Sequence, residues 1–241
     1  MRYPTLMSGS RPVILLTGFG PFPRVPVNAT SILVPRIAEA AKASFPGICA
    51  VVEILPTEWV AGLARLEQLY ARHRPHLALH FGVSHRATGF AVEARGRNRC
   101  APSPDGAGAL PASACISADA PEFLPANLPA ALIVERLRRR GLPAQLSRDA
   151  GSYLCNALLY RAVELSRRGV GPARNGFIHL PETLVDPRRP DRQPTFACPL
   201  SWQQVIDGSL DIIATCLGRW PATSRRSARG LSPSPSASAG A

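Results

Sequence analysis

Three side chains in this 241-residue sequence have the types and placement that nucleophilic catalysis needs. Cys155 stands in "GSYLCNALLY" (151–160), His179 in "GFIHLPE" (176–182) and Glu93 in "FAVEARGRN" (90–98). A thiol becomes a useful nucleophile when a base can take and return its proton and a third group orients that base. Leu154, Leu158, Ala162 and Leu165 recur at helical spacing, with Ser152 as a candidate N-cap and Gly169 as a stop, so Cys155 falls in the first turn of a helix. The positive end of a helix favours a thiolate there, and its free backbone N–H groups can hold an oxyanion. On residue type alone Cys155 serves equally as a small buried hydrophobe. His179 closes an apolar strand just before Pro181, which suits either a base or a satisfied strand-end histidine. Strand alternation puts Phe90, Val92 and Ala94 on one face and Ala91, Glu93 and Arg95 on the other, the strand reading as having one wetter face, so Glu93 need not be buried in the core. On that face it either orients His179 or pairs with the arginines at 95, 97 and 99.

Two further groupings bear on chemistry. "TGFGPFPRVPVN" (17–28) is a loop made irregular by Gly18, Gly20, Pro21, Pro23 and Pro26, from which Phe19 and Phe22 project. They form either an aromatic pocket or a plug that anchors the loop. A dinucleotide fingerprint is excluded, because the third glycine is missing and proline stands where a helix would begin. His73, His76 and His80 straddle a helix end and a strand and share no face, so no metal site and no cofactor is expected.

The elements that must position these residues alternate along the chain. Apolar strand-like runs at 12–19, 49–55, 76–83, 89–98 and 176–181, with a short "AQLS", are separated by helix-period segments. The first of these helices, "TSILVPRIAEAAKA", reads as interrupted near Pro35. Residues 101–129 read as an irregular loop, and Gly141 as the stop of "AALIVERLRRRG". Continuous apolar strands between helices predict an α/β fold, a three-layer α/β/α sandwich around a mostly parallel twisted sheet. Sites in such sheets form beyond the carboxyl ends of the strands. Residues 1–221 are expected to form a single domain and 222–241, rich in Ser, Pro, Ala and Gly, a disordered tail.

Composition narrows the partners. With 46% hydrophobic residues the chain can bury a substantial core. No apolar run approaches the ~20 residues that span a bilayer, and the N-terminus lacks the apolar segment of a secretory signal. A cytoplasmic protein without membrane contact is expected, with room for a homo-oligomer. Six scattered cysteines contain no Cys-x-x-Cys pair, which indicates free thiols. The net charge of +12 comes almost wholly from arginine. These arginines cluster at helix ends, in loops and in the tail without interleaved aromatics, the pattern of solvated faces and not of a nucleic-acid footprint.

"ILLTGFGPFPRVPVN", "SRDAGSYLCNALLY" and "GFIHLPE" together resemble three signatures of the pyroglutamyl peptidase I (pyrrolidone-carboxylate peptidase) family of cysteine peptidases, in the family's order and from about Val13 to Leu217. The 24-residue step from Cys155 to His179 is also similar. The resemblance implies removal of N-terminal pyroglutamate from peptides, with Cys155 as nucleophile, His179 as base and Glu93 as the third member. It implies that Phe19 and Phe22 sandwich the pyroglutamyl ring and that Tyr153 and Leu154 add ring contacts. Two departures stand out. The family's Ala-Arg-Ile-Pro-Asp segment, whose arginine helps the oxyanion site, is "CAPSPDG" here, and the ending after the histidine is shortened to "HLPETL". The first departure motivates an alternative, a divergent homologue that binds a lactam or modified peptide with little or no turnover.

Overall fold

The computed structural model describes residues 11–22, 25, 27–184 and 198–218. A six-stranded sheet in the order β2-β1-β3-β8-β4-β7 organises them. Its strands are β1 (Val13–Phe19), β2 (Cys49–Leu55), β3 (Leu77–Ser84), β4 (Phe90–Glu93), β7 (Ala144–Ser147) and β8 (Arg174–Pro181). β2, β1, β3 and β8 run parallel, as their apolar character requires of strands covered on both faces. β4 pairs antiparallel with β8 and parallel with β7, so the last two strands are reversed. A separate antiparallel ribbon joins β5 (Arg95–Arg97) to β6 (Phe123–Pro125).

Strand alternation divides the core into two layers. Ile14, Leu16, Leu79, Phe81, Phe90, Val92, Ile178 and Leu180 face the helices α1 (Ala29–Ser44), α3 (Ala130–Arg139) and α5 (Trp202–Leu217). Leu15, Phe19, Ala78 and Phe177 face α2 (Trp59–His73) and α4 (Leu154–Arg167). This is the expected three-layer α/β/α sandwich with a mostly parallel sheet. His80, Gly82, Ala91, Glu93 and His179 share strand parity with the second group, so the candidate chemistry lies on the side covered by α4.

Several local expectations change in the folded chain. α1 runs unbroken through Pro35, which sits on its exposed side, while Leu33, Val34, Ile37 and Ala38 bury the opposite stripe. Packing of that stripe outweighs the lost backbone hydrogen bond. The run 89–98 is not one strand: it leaves the main sheet after Glu93 and re-forms as β5 in the ribbon. Part of the loop expected over 101–129 is β6. Ser152 does not cap α4. Tyr153 occupies the N-cap without a side-chain cap bond, and the Ser152 carbonyl accepts a 2.7 Å hydrogen bond from the Ala101 N–H. The tail expected at 222–241 lies outside the described residues. Among the described residues, no helix is long and apolar enough to cross a membrane.

The ribbon approaches α4 closely at Gly96, where a Cβ would lie 2.8 Å from the Tyr160 Cα. Because the obstacle is helix backbone, Gly96→Ala must push β5 off α4. The expected loss is about 1–3 kcal/mol of stability, read as a lower urea midpoint at unchanged m-value.

Candidate active site

Cys155 is the second residue of α4, and the Ala157 N–H already bonds the Tyr153 carbonyl. The N–H groups of Leu154, Cys155 and Asn156 therefore have no intrahelical partner, and they concentrate positive potential beside the sulfur. Below the thiol lies the carboxyl end of β3. A Cβ on Gly82 would come within 2.8 Å of the Phe177 ring and 3.1 Å of Cys155 Sγ, so only glycine leaves room for that sulfur.

His179 comes from β8, where Ala91 of β4 is its antiparallel partner. The Phe177 ring lies against it with centroids 4.8 Å apart. Its Nδ1 hydrogen-bonds Glu93 Oε1 at 2.8 Å, leaving Nε2 for Cys155. Burial pulls the imidazole pKa down, but the charge and hydrogen bond of Cys155, together with those of Glu93, more than offset it and lift it to about 9. Glu93 is 1% exposed, against the expectation of a wetter face. The parity holds, but the strand is interior, between β8 and β7, and the carboxylate is engaged by His179. The alternative surface pairing with neighbouring arginines is not formed. Arg95 and Arg97 instead lie over the Phe123 ring, and Arg97 bonds Glu122. Glu93 Oε2 is buried without a hydrogen-bond partner among the described residues.

A cleft of about 730 Å³ opens over Cys155, Glu93 and His179. Phe22 and Tyr153 line one part of it, with ring centroids 6.1 Å apart, and Trp59 braces Tyr153 edge-on at 5.1 Å. Phe19 and Leu154 stand elsewhere: at 3% and 4% exposure they are core residues, Phe19 packing 6.2 Å from Phe177. The loop signal in "TGFGPFP" thus splits, with Phe19 ending β1 inside the fold and Phe22 reaching the cleft.

Another wall of the cleft, Ala101, Ser103 and Pro104, was not foreseen as an anchored structure. Tyr153 Oη donates to the Pro104 carbonyl (3.0 Å) and Trp59 Nε1 to the Ser103 carbonyl (3.0 Å). Asp105 accepts from the N–H groups of Trp59, Ala107 and Ala109, each at 2.9 Å. Burial pushes its carboxyl pKa up, yet these backbone donors, with Gly108, hold it below the usual range. The Pro-Asp-Gly turn signal in "CAPSPDG" was the available clue. Two of the three histidines named as alternative metal ligands are otherwise engaged. His76 Nδ1 accepts from the Val13 N–H at 3.0 Å, and buried His80 joins Thr17 (2.8 Å) to Tyr70 (3.1 Å) while burial lowers its pKa to about 3. Among the described residues no cluster of His, Cys, Asp or Glu could hold a metal.

Comparison with known proteins gives a consistent picture. A family model described as pyroglutamyl peptidase matches residues 13–208. The pyrrolidone-carboxylate peptidase of Cupriavidus taiwanensis is 32% identical over 208 residues, covering 86% of this chain and 93% of that one. The human pyroglutamyl-peptidase 1 is 29% identical over 177 residues, covering 73% and 81%. The crystal structure of pyroglutamyl peptidase I from Bacillus amyloliquefaciens superposes with a TM-score of 0.74 at 29% identity, over 86% of this chain and 98% of the other.

The space under the thiol provides a direct check. Gly82→Ala is expected to displace the Phe177 ring and crowd the sulfur, slowing iodoacetamide alkylation of Cys155 by about tenfold or more. An unchanged alkylation rate in a folded variant would contradict this account of the floor.

Proposed function

This chain belongs to the pyroglutamyl peptidase family, and from that premise we propose that it releases N-terminal pyroglutamate from peptides by covalent catalysis at Cys155, with His179 and Glu93 as partners. The observation that carries the reading is the 2.8 Å hydrogen bond from buried His179 to Glu93, with Cys155 on the other side of the ring. Cys155 passes its thiol proton to His179 Nε2 and its sulfur attacks the pyroglutamyl carbonyl carbon, forming a C–S bond while the carbonyl π electrons move to oxygen, an oxyanion that the free N–H groups at the start of α4 can receive. As the C–N bond breaks, the His179 imidazolium gives its proton to the departing amine. Water then attacks the thioester with His179 accepting a proton, the C–S bond breaks, and pyroglutamate leaves. The lactam is uncharged with two apolar faces, so aromatic walls and backbone hydrogen bonds suffice to hold it. Phe22 and Tyr153 are suited to that wall, with Phe19 and Leu154 supporting it from behind. The same reading takes residues 1–221 as one catalytic domain working in the cytoplasm.

One observation favours the second reading, binding with little turnover. The cleft wall Ala101–Pro104 carries no arginine, so that wall offers no cation to an oxyanion beside the helix N–H groups. Hydrolysis of a pyroglutamyl fluorogenic substrate decides between the two. The proposed enzyme turns it over, whereas a binder retains it without product.

Cys155→Ser and His179→Ala are each expected to abolish hydrolysis with the fold retained, because each removes a member of a cooperating unit. Full activity in Cys155→Ser would remove the nucleophile assignment.

The pH profile gives an independent check. His179 is held above its ordinary value of 6.5, so the stability contributed by its protonated form is complete below 6.5 and lost as pH rises through about 9. The general acid disappears over that same range, so hydrolysis should fall above pH 9. Glu93→Gln keeps a hydrogen bond but removes the charge that stabilises imidazolium, and should move this alkaline limb to lower pH. A limb that stays in place would separate Glu93 from the reaction.

The two phenylalanines should also part company. Phe22→Ala should raise KM with little change in melting, by on the order of 1 kcal/mol of binding. Phe19→Ala should instead cost about 3 kcal/mol or more of stability through a core cavity.

A further inference from the structure

Asn156 follows the nucleophile in sequence and is 1% exposed, yet its side chain does nothing for its own helix. Its Oδ1 accepts the Arg97 N–H at 2.8 Å, and its Nδ2 donates to the carbonyls of Arg97 (2.8 Å) and Arg99 (3.0 Å). The amide thus takes the place of a neighbouring strand for residues 97–99, the segment that begins four residues beyond Glu93.

The three chemical groups are not held in the same way. Glu93 and His179 sit on paired strands of one sheet, while Cys155 arrives on a helix that rests against that sheet through side chains. Packing of Ala157, Leu158, Leu159 and Tyr160 keeps α4 in the core. Asn175 of β8 adds hydrogen bonds toward the far end of α4, donating to the Ala162 carbonyl and to Ser166 Oγ; at the first turn packing is supplemented by Asn156, and packing by itself is non-directional. We propose that Asn156 is a positioning residue: by fastening the first turn of α4 to the chain that carries Glu93, it sets where Cys155 Sγ stands relative to His179. The proposal rests on Cys155 being the nucleophile. The same segment is also fastened to residues 116–120, where Asn98 Oδ1 accepts from Ile116 (2.8 Å) and Ser117 (3.0 Å) and its Nδ2 donates to the Ser117 and Ala120 carbonyls; that stretch reaches α4 toward its far end, through Ser117 Oγ donating to Glu164. This second fastening provides a control that leaves the hydrogen bonds at the first turn of α4 in place.

The test compares Asn156→Ala and Asn98→Ala in the full chain, by hydrolysis of a pyroglutamyl fluorogenic substrate and by the iodoacetamide alkylation rate of Cys155 at neutral pH. For Asn156→Ala we expect kcat to fall on the order of 10- to 100-fold with KM nearly constant, the signature of a misplaced reacting group. Cys155 alkylation should slow alongside, since the thiol loses its place beside the imidazole. Asn98→Ala should lower the melting temperature while leaving alkylation close to wild type. Wild-type kcat and alkylation in a folded Asn156→Ala protein overturn the proposal, as does an equal loss in Asn98→Ala, which would mean general loosening. If Asn156→Ala does not fold, Asn156→Ser, which keeps a polar group at the position but is too short to hold the three bonds, is measured in its place. Failure of both to fold also overturns the proposal, because the residue would then be a requirement of the fold. A wild-type protein without turnover would defeat the peptidase reading alone, and the alkylation comparison would still decide the role of Asn156.

Discussion

The reversal of β4 against β8 is the constraint on which the rest of the cleft depends. Antiparallel pairing sets Ala91 opposite His179 and leaves Glu93 two residues further along, on the same face and level with Phe177. A glutamate side chain is long enough to turn back from that position and meet Nδ1, which it does at 2.8 Å. The distance is therefore set by register, and a slip of one residue would turn Glu93 to the opposite face, among α1, α3 and α5.

Burying this pair carries an electrostatic cost, since an isolated carboxylate or imidazolium in the interior is strongly disfavoured. The cost is contained because each charge meets another: Glu93 faces Nδ1, and the other side of the ring faces Cys155. The unpartnered Oε2 of Glu93 shows that the carboxylate is not fully satisfied by protein groups, which is tolerated where a site serves chemistry. The same low-dielectric setting makes the helix N–H groups at Cys155 more effective toward a developing oxyanion than they would be in water.

Much of the fold was legible because its signals are local. Continuous apolar runs between helical periods predicted the sheet and its covering helices, and Gly141 and Gly169 do end α3 and α4, at φ +73° and +76°. Cys155 in a first helical turn and His179 at a strand end followed from the same patterns. Glu93 shows where local signals stop. Its parity could be read, but its burial depends on strand order, which no window of ten residues contains. The cap at Tyr153 escaped because Ser152 uses its backbone to hold Ala101, a contact across some fifty positions of sequence. Gly82 and Asn156 escaped for a similar reason, since each matters through what packs against it. Phe19 and Phe22 carry the same side chain three positions apart, and only the end of β1 between them decides which is core and which is wall.

These attachments divide the site into parts that can change separately. Glu93 and His179 belong to the sheet, and Cys155 belongs to α4. The wall from Ala101 to Pro104 hangs from α2 through Trp59 and from the start of α4 through Ser152 and Tyr153. Asp105 fixes the base of that wall with backbone hydrogen bonds, which depend on chain geometry and tolerate many side chains around them. A substitution within 101–104 can therefore alter what faces the bound ring while the register of β4 on β8 stays as it is. Residues 101–104, which include no arginine, make up this replaceable wall, and the hydrogen bond from His179 to Glu93 does not pass through them.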